Sequence, residues 1–231
     1  VLDVLVYPRP RISIVVTGNE IIDSGVELSH GQVYDSNSWT LRACLEQYKC
    51  LDVKVLKSGD DPQQLIDVLR NALTYSDLIL VTGGVSVGDY DFTGDAFDAL
   101  GIAKLFHKVK QKPGKPLMFG KKGETVVFGL PGNPGSVLTC FYEYVLPSLG
   151  ILMQQDFRLK TASAFLTQDY EKTMGLTHFL KGVLSNQEVT LLKGQESYKL
   201  SSFATANCLV VLPEQETQFA NGSLVEVHLI P

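Results

Sequence analysis

The sequence predicts an α/β fold: a mostly parallel open sheet with helices on both faces, followed by a small all-β domain. Three observations predict it. Through the first two thirds of the 231 residues, short apolar runs alternate with helical segments, and glycine-rich loops follow several of those runs directly. From about residue 157 the texture changes to short alternating runs separated by Asn, Gly, Pro and Gln. Strand and helix in alternation imply parallel strands joined by right-handed crossovers, whereas alternating runs imply half-buried strands.

The elements follow in order. Residues 11–17 (RISIVVT) form a continuous apolar run ended by Gly18, the pattern of a strand buried on both faces. A helix over 38–48 carries Leu41, Leu45 and Tyr48 on its core stripe, with Asp35, Ser36 and Asn37 as capping candidates. Residues 51–56 return as a strand. Gly59-Asp60-Asp61-Pro62 then opens a helix in which Leu65, Leu69 and Leu73 recur every four residues, with Pro62 suited to its first turn. Residues 77–82 (DLILVT) are the third strand, and a helix is expected near 93–100. Strands at 103–110 and 117–120 flank a lysine loop, 125–129 is another buried strand, and a helix runs from about 135 to 149. The β unit is expected from runs 179–184, 189–192, 208–212 and 224–230. The expected division is a linker over 1–10, an α/β domain over 11–150 and a β domain over 157–231.

Composition narrows the function classes. A 45% hydrophobic content suits a soluble, globular protein, the scattered cysteines suit the cytoplasm, and a net charge of −5 argues against nucleic acid as a partner, because duplex binding is dominated by Lys and Arg neutralising phosphates. No apolar stretch is expected to reach the length of a membrane-spanning helix, and the start lacks the order of a signal peptide. No membrane partner is expected. Cys44, Cys50, Cys140 and Cys208 lack CxxC spacing and read as reduced thiols; His30, His107, His178 and His228 are dispersed and read as packing or surface residues. The chain opens on Val1, from which a preceding N-terminal part is expected.

Three loops carry the chemistry: Gly83-Gly84-Val85-Ser86-Val87-Gly88, Lys112-Pro113-Gly114-Lys115-Pro116, and Gly129-Leu130-Pro131-Gly132-Asn133-Pro134 followed by Ser136. Glycines let backbone N–H groups face an anion without an intervening Cβ. Around the second loop, Lys108, Lys110, Lys112, Lys115, Lys121 and Lys122 place six of the chain's 20 basic residues within a short stretch, fitting either an anion site or a charged strand edge. Acids stand at the neighbouring strand ends: Glu20, Asp60, Asp61, Asp89 and Asp91. Carboxylates beside a phosphate cradle repel the ligand unless a cation lies between, so Mg²⁺ is inferred. Asp91 is the preferred metal ligand, though it could cap the following helix; Asp60 and Asp61 fit helix capping as well as catalysis, and Glu20 could form a surface turn. Rossmann, P-loop and nucleophile-elbow motifs are absent.

Thr17-Gly18-Asn19-Glu20, Tyr34-Asp35-Ser36-Asn37, Gly59-Asp60-Asp61-Pro62 and the three loops, in that order, resemble the MoeA family of molybdenum-insertion enzymes, related to the E domain of gephyrin. The resemblance covers essentially the whole chain, with a MogA/MoaB-like molybdopterin-binding domain first and the family's C-terminal β domain second. It implies conversion of adenylylated molybdopterin and molybdate to molybdenum cofactor with release of AMP, dependent on Mg²⁺. It also implies a homodimer, with a molybdopterin adenylyltransferase as pathway partner. Asp61, Asp91, Lys108 and Lys112 are carried over as catalytic and Glu20 and Asp91 as metal ligands. Gly83, Gly84, Val85, Ser86, Gly88, Lys115, Pro131, Gly132, Asn133, Pro134 and Ser136 are carried over as substrate-binding. Ser201-Ser202-Phe203 and Asn207 resemble a family segment that approaches the site, and equally an ordinary β turn. Family members carry further N-terminal domains that complete the site, so the chain as it stands is expected to bind ligand yet turn over poorly. The alternatives are a single-domain adenylyltransferase of the MogA/MoaB type and a gephyrin-like scaffold module.

Overall fold

The structure, a computed structural model, describes residues 3–85 and 92–231. The expected site residues Ser86, Gly88, Asp89 and Asp91 lie outside the described residues. The first part of the chain runs β1 (Ile12–Thr17), β2 (Ile21–Ile22), β3 (Val33–Tyr34), α1 (Asn37–Gln47), β4 (Val53–Ser58), α2 (Pro62–Tyr75), β5 (Leu78–Thr82) and α3 (Phe92–Ala99). It continues through β6 (Ala103–His107), β7 (Gln111–Lys112), β8 (Met118–Lys122), β9 (Thr125–Leu130), α4 (Pro134–Cys140), a π-helical turn (Phe141–Val145) and α5 (Leu146–Leu152).

The main sheet has strand order β4-β1-β5-β9-β8-β6. Its first four strands are parallel, and β8 and β6 add an antiparallel edge. The strands β1 and β5 are buried along their whole length because each face is covered by helices. Ile14, Val16, Leu78 and Leu80 pack with α1 and the 134–152 helix, while Val15, Ile79 and Val81 pack with α2 and α3. In place of a strand over 103–110, β6 stops at His107, and Lys108 takes φ 67° as the chain turns into the lysine loop.

The helix expected over 135–149 extends over 134–152, interrupted by the π turn. It is long and apolar enough by composition to cross a membrane, and two thirds of it is buried inside the protein, as suits a core helix. Counting only uninterrupted apolar runs passes over it, because Glu143 and the hydroxyl-bearing residues divide the run.

The second part comprises β10 (Lys160–Leu166), β11 (Tyr170–Glu171), β12 (Thr177–Ser185), β13 (Glu188–Leu191), a 3₁₀ turn (Ser201–Ala204), β14 (Cys208–Leu212), β15 (Gln218–Phe219) and β16 (Leu224–Leu229). Its sheet order is β13-β10-β16-β14-β12, and β13 also pairs with β12, so the five strands close on themselves. Alternate residues such as Ala164, Leu166, Val189, Leu191, Val225 and Val227 fill the interior. Outside that ring, β7 adds to β12 in parallel, with His178 opposite Lys112. The lysine loop of the α/β part is thereby stitched to the β part.

Candidate functional site

The four parallel strands bring their carboxyl ends to one edge, where residues from 18–20, Asp60, 83–85 and 131–134 wall a cleft of about 1330 Å³. Open α/β sheets present ligands with loops at this edge. The remaining walls are the lysine loop 112–116 and, from the β part, Tyr170, Leu176, Phe179 and segment 192–198.

The strand-end loops are tied to each other. Thr17 donates its hydroxyl to the Thr82 carbonyl at 3.1 Å, Gly83 N–H donates to the Leu130 carbonyl at 3.3 Å, and Asn37 Nδ2 donates to the Gly132 carbonyl at 2.8 Å. Gly83 adopts φ 85°, and a Cβ there would stand 2.9 Å from the Thr17 carbonyl oxygen, so both its conformation and the close approach require glycine. Two buried polar atoms of the cleft residues, Thr82 Oγ1 and Asn37 Oδ1, have no partner among the described residues. A bound ligand with hydrogen-bonding groups could satisfy them.

Of the six clustered lysines, only Lys112 and Lys115 line the cleft. Lys110 pairs with Glu214 at 2.9 Å, Lys121 with Glu124 at 3.3 Å, and Lys122 donates to the Leu100 carbonyl. Lys108 is exposed and outside the cleft lining; its backbone N–H donates to the Leu117 carbonyl at 2.9 Å, closing the neck of the loop.

The two adjacent aspartates separate. Asp61 is the N-cap of α2, its carboxylate accepting from Gln64 N–H at 2.7 Å, and it is not part of the cleft wall. Asp60 lines the cleft, with Oδ2 accepting from Asn19 N–H at 3.1 Å. Glu20 lines the same wall. Among the described residues no group of three or more His, Cys, Asp or Glu converges. Asp35 lies at the start of α1, where Oδ1 accepts from Ser38 N–H at 3.0 Å, while Ser36 makes no side-chain cap.

Pro131, Gly132, Asn133, Pro134 and Ser136 all line the cleft, where α4 begins. Asn133 does not cap this helix; its Nδ2 donates to Ser197 Oγ at 2.8 Å, and Gly135 N–H donates to the Ser197 carbonyl at 2.8 Å. Segment 192–198 therefore docks on the helix start. The buried Lys181 holds that segment from behind, its ammonium donating to the carbonyls of Gly194 at 2.8 Å, Lys199 at 3.2 Å and Glu196 at 3.5 Å. Burial lowers the Lys181 pKa, against the raising effect of Glu196. Gln195 adds bonds to the backbone of Lys181 and Leu192. Ser201, Ser202, Phe203 and Asn207 stand outside the lining: Ser202 Oγ donates to the carbonyls of Gly194 and Lys199, and Asn207 bonds both backbone groups of Leu184. Sequence reasoning passed over 192–198 because it has neither apolar periodicity nor a charge pattern, and its docking depends on partners some sixty residues earlier.

His178, beside the lysine loop, is buried, and its pKa is pushed down to about 4, first by burial and then by the charges of Lys112 and Lys172. It is neutral at physiological pH.

Two family comparisons match these two parts. The family described as probable molybdopterin binding domain matches residues 13–150, and the one described as MoeA C-terminal region (domain IV) matches 163–230. The chain belongs to the MoeA family. Among curated relatives in that family, the molybdopterin molybdenumtransferase of Haemophilus influenzae is 32% identical over 99% of this chain and 58% of its own length. Molybdopterin molybdenumtransferase 2 of Mycobacterium tuberculosis is 33% identical over 96% of the chain and 57% of its own length. The chain thus spans little more than half the length of these MoeA-family relatives. A crystal structure titled as the molybdopterin biosynthesis moea protein of Pyrococcus horikosii matches 96% of the chain and 54% of its own, at 29% identity and a TM-score of 0.82.

Proposed function

We propose that this chain supplies the molybdopterin- and molybdate-binding cleft of a molybdopterin molybdenumtransferase, which converts adenylylated molybdopterin and molybdate to molybdenum cofactor and releases AMP. On this reading 11–150 is the molybdopterin-binding unit and 157–231 the C-terminal unit, working in the cytoplasm as a homodimer. The observation that carries it is one cleft holding the glycine turn at 83–84, the two lysines Lys112 and Lys115, and the Pro131–Pro134 turn.

The chemistry of each wall fits the substrates. Lys112 and Lys115 present compact cations suited to a tetrahedral oxyanion, which no planar guanidinium fork need read. Backbone at 83–85 suits the pyrophosphate, and Thr82 Oγ1 and Asn37 Oδ1 offer hydrogen bonds to the pterin. Glu20 and Asp60, on one wall, supply hard oxygen ligands that fit Mg²⁺, with Asp91 as a further ligand. When bound, Mg²⁺ would neutralise the pyrophosphate. The protein's own groups bind and orient: the lysines fix the oxyanion, and the Ser197 contacts keep the Asn133 turn beside it.

The test is equilibrium binding of adenylylated molybdopterin, followed by assay for AMP. Saturable binding that Glu20→Ala weakens about tenfold is expected. ATP-dependent transfer of AMP onto molybdopterin by this chain would instead make it an adenylyltransferase and overturn the reading.

A further inference from the structure

The lysine loop rests on a buried amide. Gln111 is 1% exposed; it stands in β7, where the loop begins, and contributes to the cleft lining. Its Nε2 donates to the Pro113 carbonyl at 3.0 Å and to Cys140 Sγ at 3.6 Å, and its Oε1 accepts from the Tyr144 hydroxyl. The amide therefore joins the loop to two side chains of the 134–152 helix. The fit is close: a Cβ on Gly114 would stand 2.5 Å from Cys140 Sγ and 2.7 Å from Gln111 Nε2. An apolar side chain would fill this space without the cost of desolvating an amide. A satisfied buried amide differs from it by fixing direction, because each hydrogen bond has one good geometry. Backbone bonds then close the loop above it, Val109 N–H to the Lys115 carbonyl at 2.8 Å and Leu117 N–H to the Gly114 carbonyl at 3.1 Å.

We infer that Gln111, braced by Tyr144, is a positioning residue that sets Lys112 and Lys115 at the spacing an oxyanion requires. Neither side chain need touch the ligand for this; they act through the loop. The inference rests on the reading of the cleft as a molybdate site. It assigns to the 134–152 helix a second task beyond filling the core, that of anchoring the cationic wall.

The experiment compares the wild-type chain with Gln111→Leu and Tyr144→Phe by two readouts, amide hydrogen exchange over 108–117 and titration with sodium molybdate. Gln111→Leu is expected to speed exchange at Val109 and Leu117 about tenfold and to weaken molybdate about tenfold. Tyr144→Phe, the milder change, is expected to do both about threefold. In a Lys112→Ala/Lys115→Ala background, Gln111→Leu should cost little further affinity, because both cations it positions are gone. Unchanged exchange in both variants overturns the inference, as does unchanged molybdate affinity with faster exchange. A wild-type chain that binds no molybdate overturns the functional reading instead, and the exchange readout then decides alone whether Gln111 holds the loop.

Discussion

On one side of the cleft, the turns 83–85 and 131–134 emerge directly from buried parallel strands, joined by the Gly83 N–H to Leu130 backbone bond and by the side chains of Thr17 and Asn37. On the other side, segment 192–198 has no strand or helix of its own and hangs on side chains, chiefly the ammonium of Lys181 and the amide of Gln195. The first wall inherits its position chiefly from the strands it follows, with Thr17 and Asn37 as its side-chain ties and glycine required where φ is positive. The second wall depends on single side chains, and it is the wall that one substitution can displace. Both meet at Ser197, which accepts from Gly135 and Asn133.

Lys181→Met should break this contrast most strongly. It leaves three carbonyls without their shared donor in a buried setting, at a cost of about 3 kcal/mol. Differential scanning calorimetry should show the loss, and hydrogen exchange should localise it to 192–199, with 83–85 unaffected. Loosening of both walls alike would mean they are not independently held.

Asp61→Ala sharpens the comparison within the first wall. Loss of the N-cap bond to Gln64 should cost about 1 kcal/mol in urea unfolding while leaving ligand affinity unchanged. Asp60→Ala should show the reverse, near-native stability with weakened binding in the presence of Mg²⁺. Equal effects of the two on binding would contradict their separation.

The smallest effect expected is a pH dependence where the two parts pack. His228 on β16 contacts both oxygens of Glu143 at 2.9 Å and Glu226 at 2.8 Å. Burial lowers its pKa, but the hydrogen bonds and charges of Glu143 and Glu226 outweigh this and leave it raised above 6.5. The folded protein thus holds the proton more tightly than the unfolded chain. That stabilisation is complete below the ordinary histidine pKa and is lost as pH rises through the folded value. Urea midpoints should fall with rising pH across that window, and His228→Gln should flatten the fall.

The sequence made the first wall legible and the second nearly illegible, for physical reasons. Continuous apolar runs mark β1, β5 and β9 because both faces of each strand are buried, and glycines directly after a strand mark a turn. The strand β10 (KTASAFL) escaped notice because only Ala164 and Leu166 are buried along it. The short strand β7 pairs with β12 across more than sixty residues and carries no local pattern. Asp60 and Asp61 could not be told apart from their types, because one backbone turn sends one carboxylate to a helix and the other to the cleft.

The most direct test of the central claim, that this cleft binds an oxyanion through its lysine loop, is calorimetric titration of the chain with molybdate, wild type against Lys112→Ala/Lys115→Ala. Saturable binding weakened at least tenfold by the double substitution is expected. Equal affinity in the two proteins would contradict it.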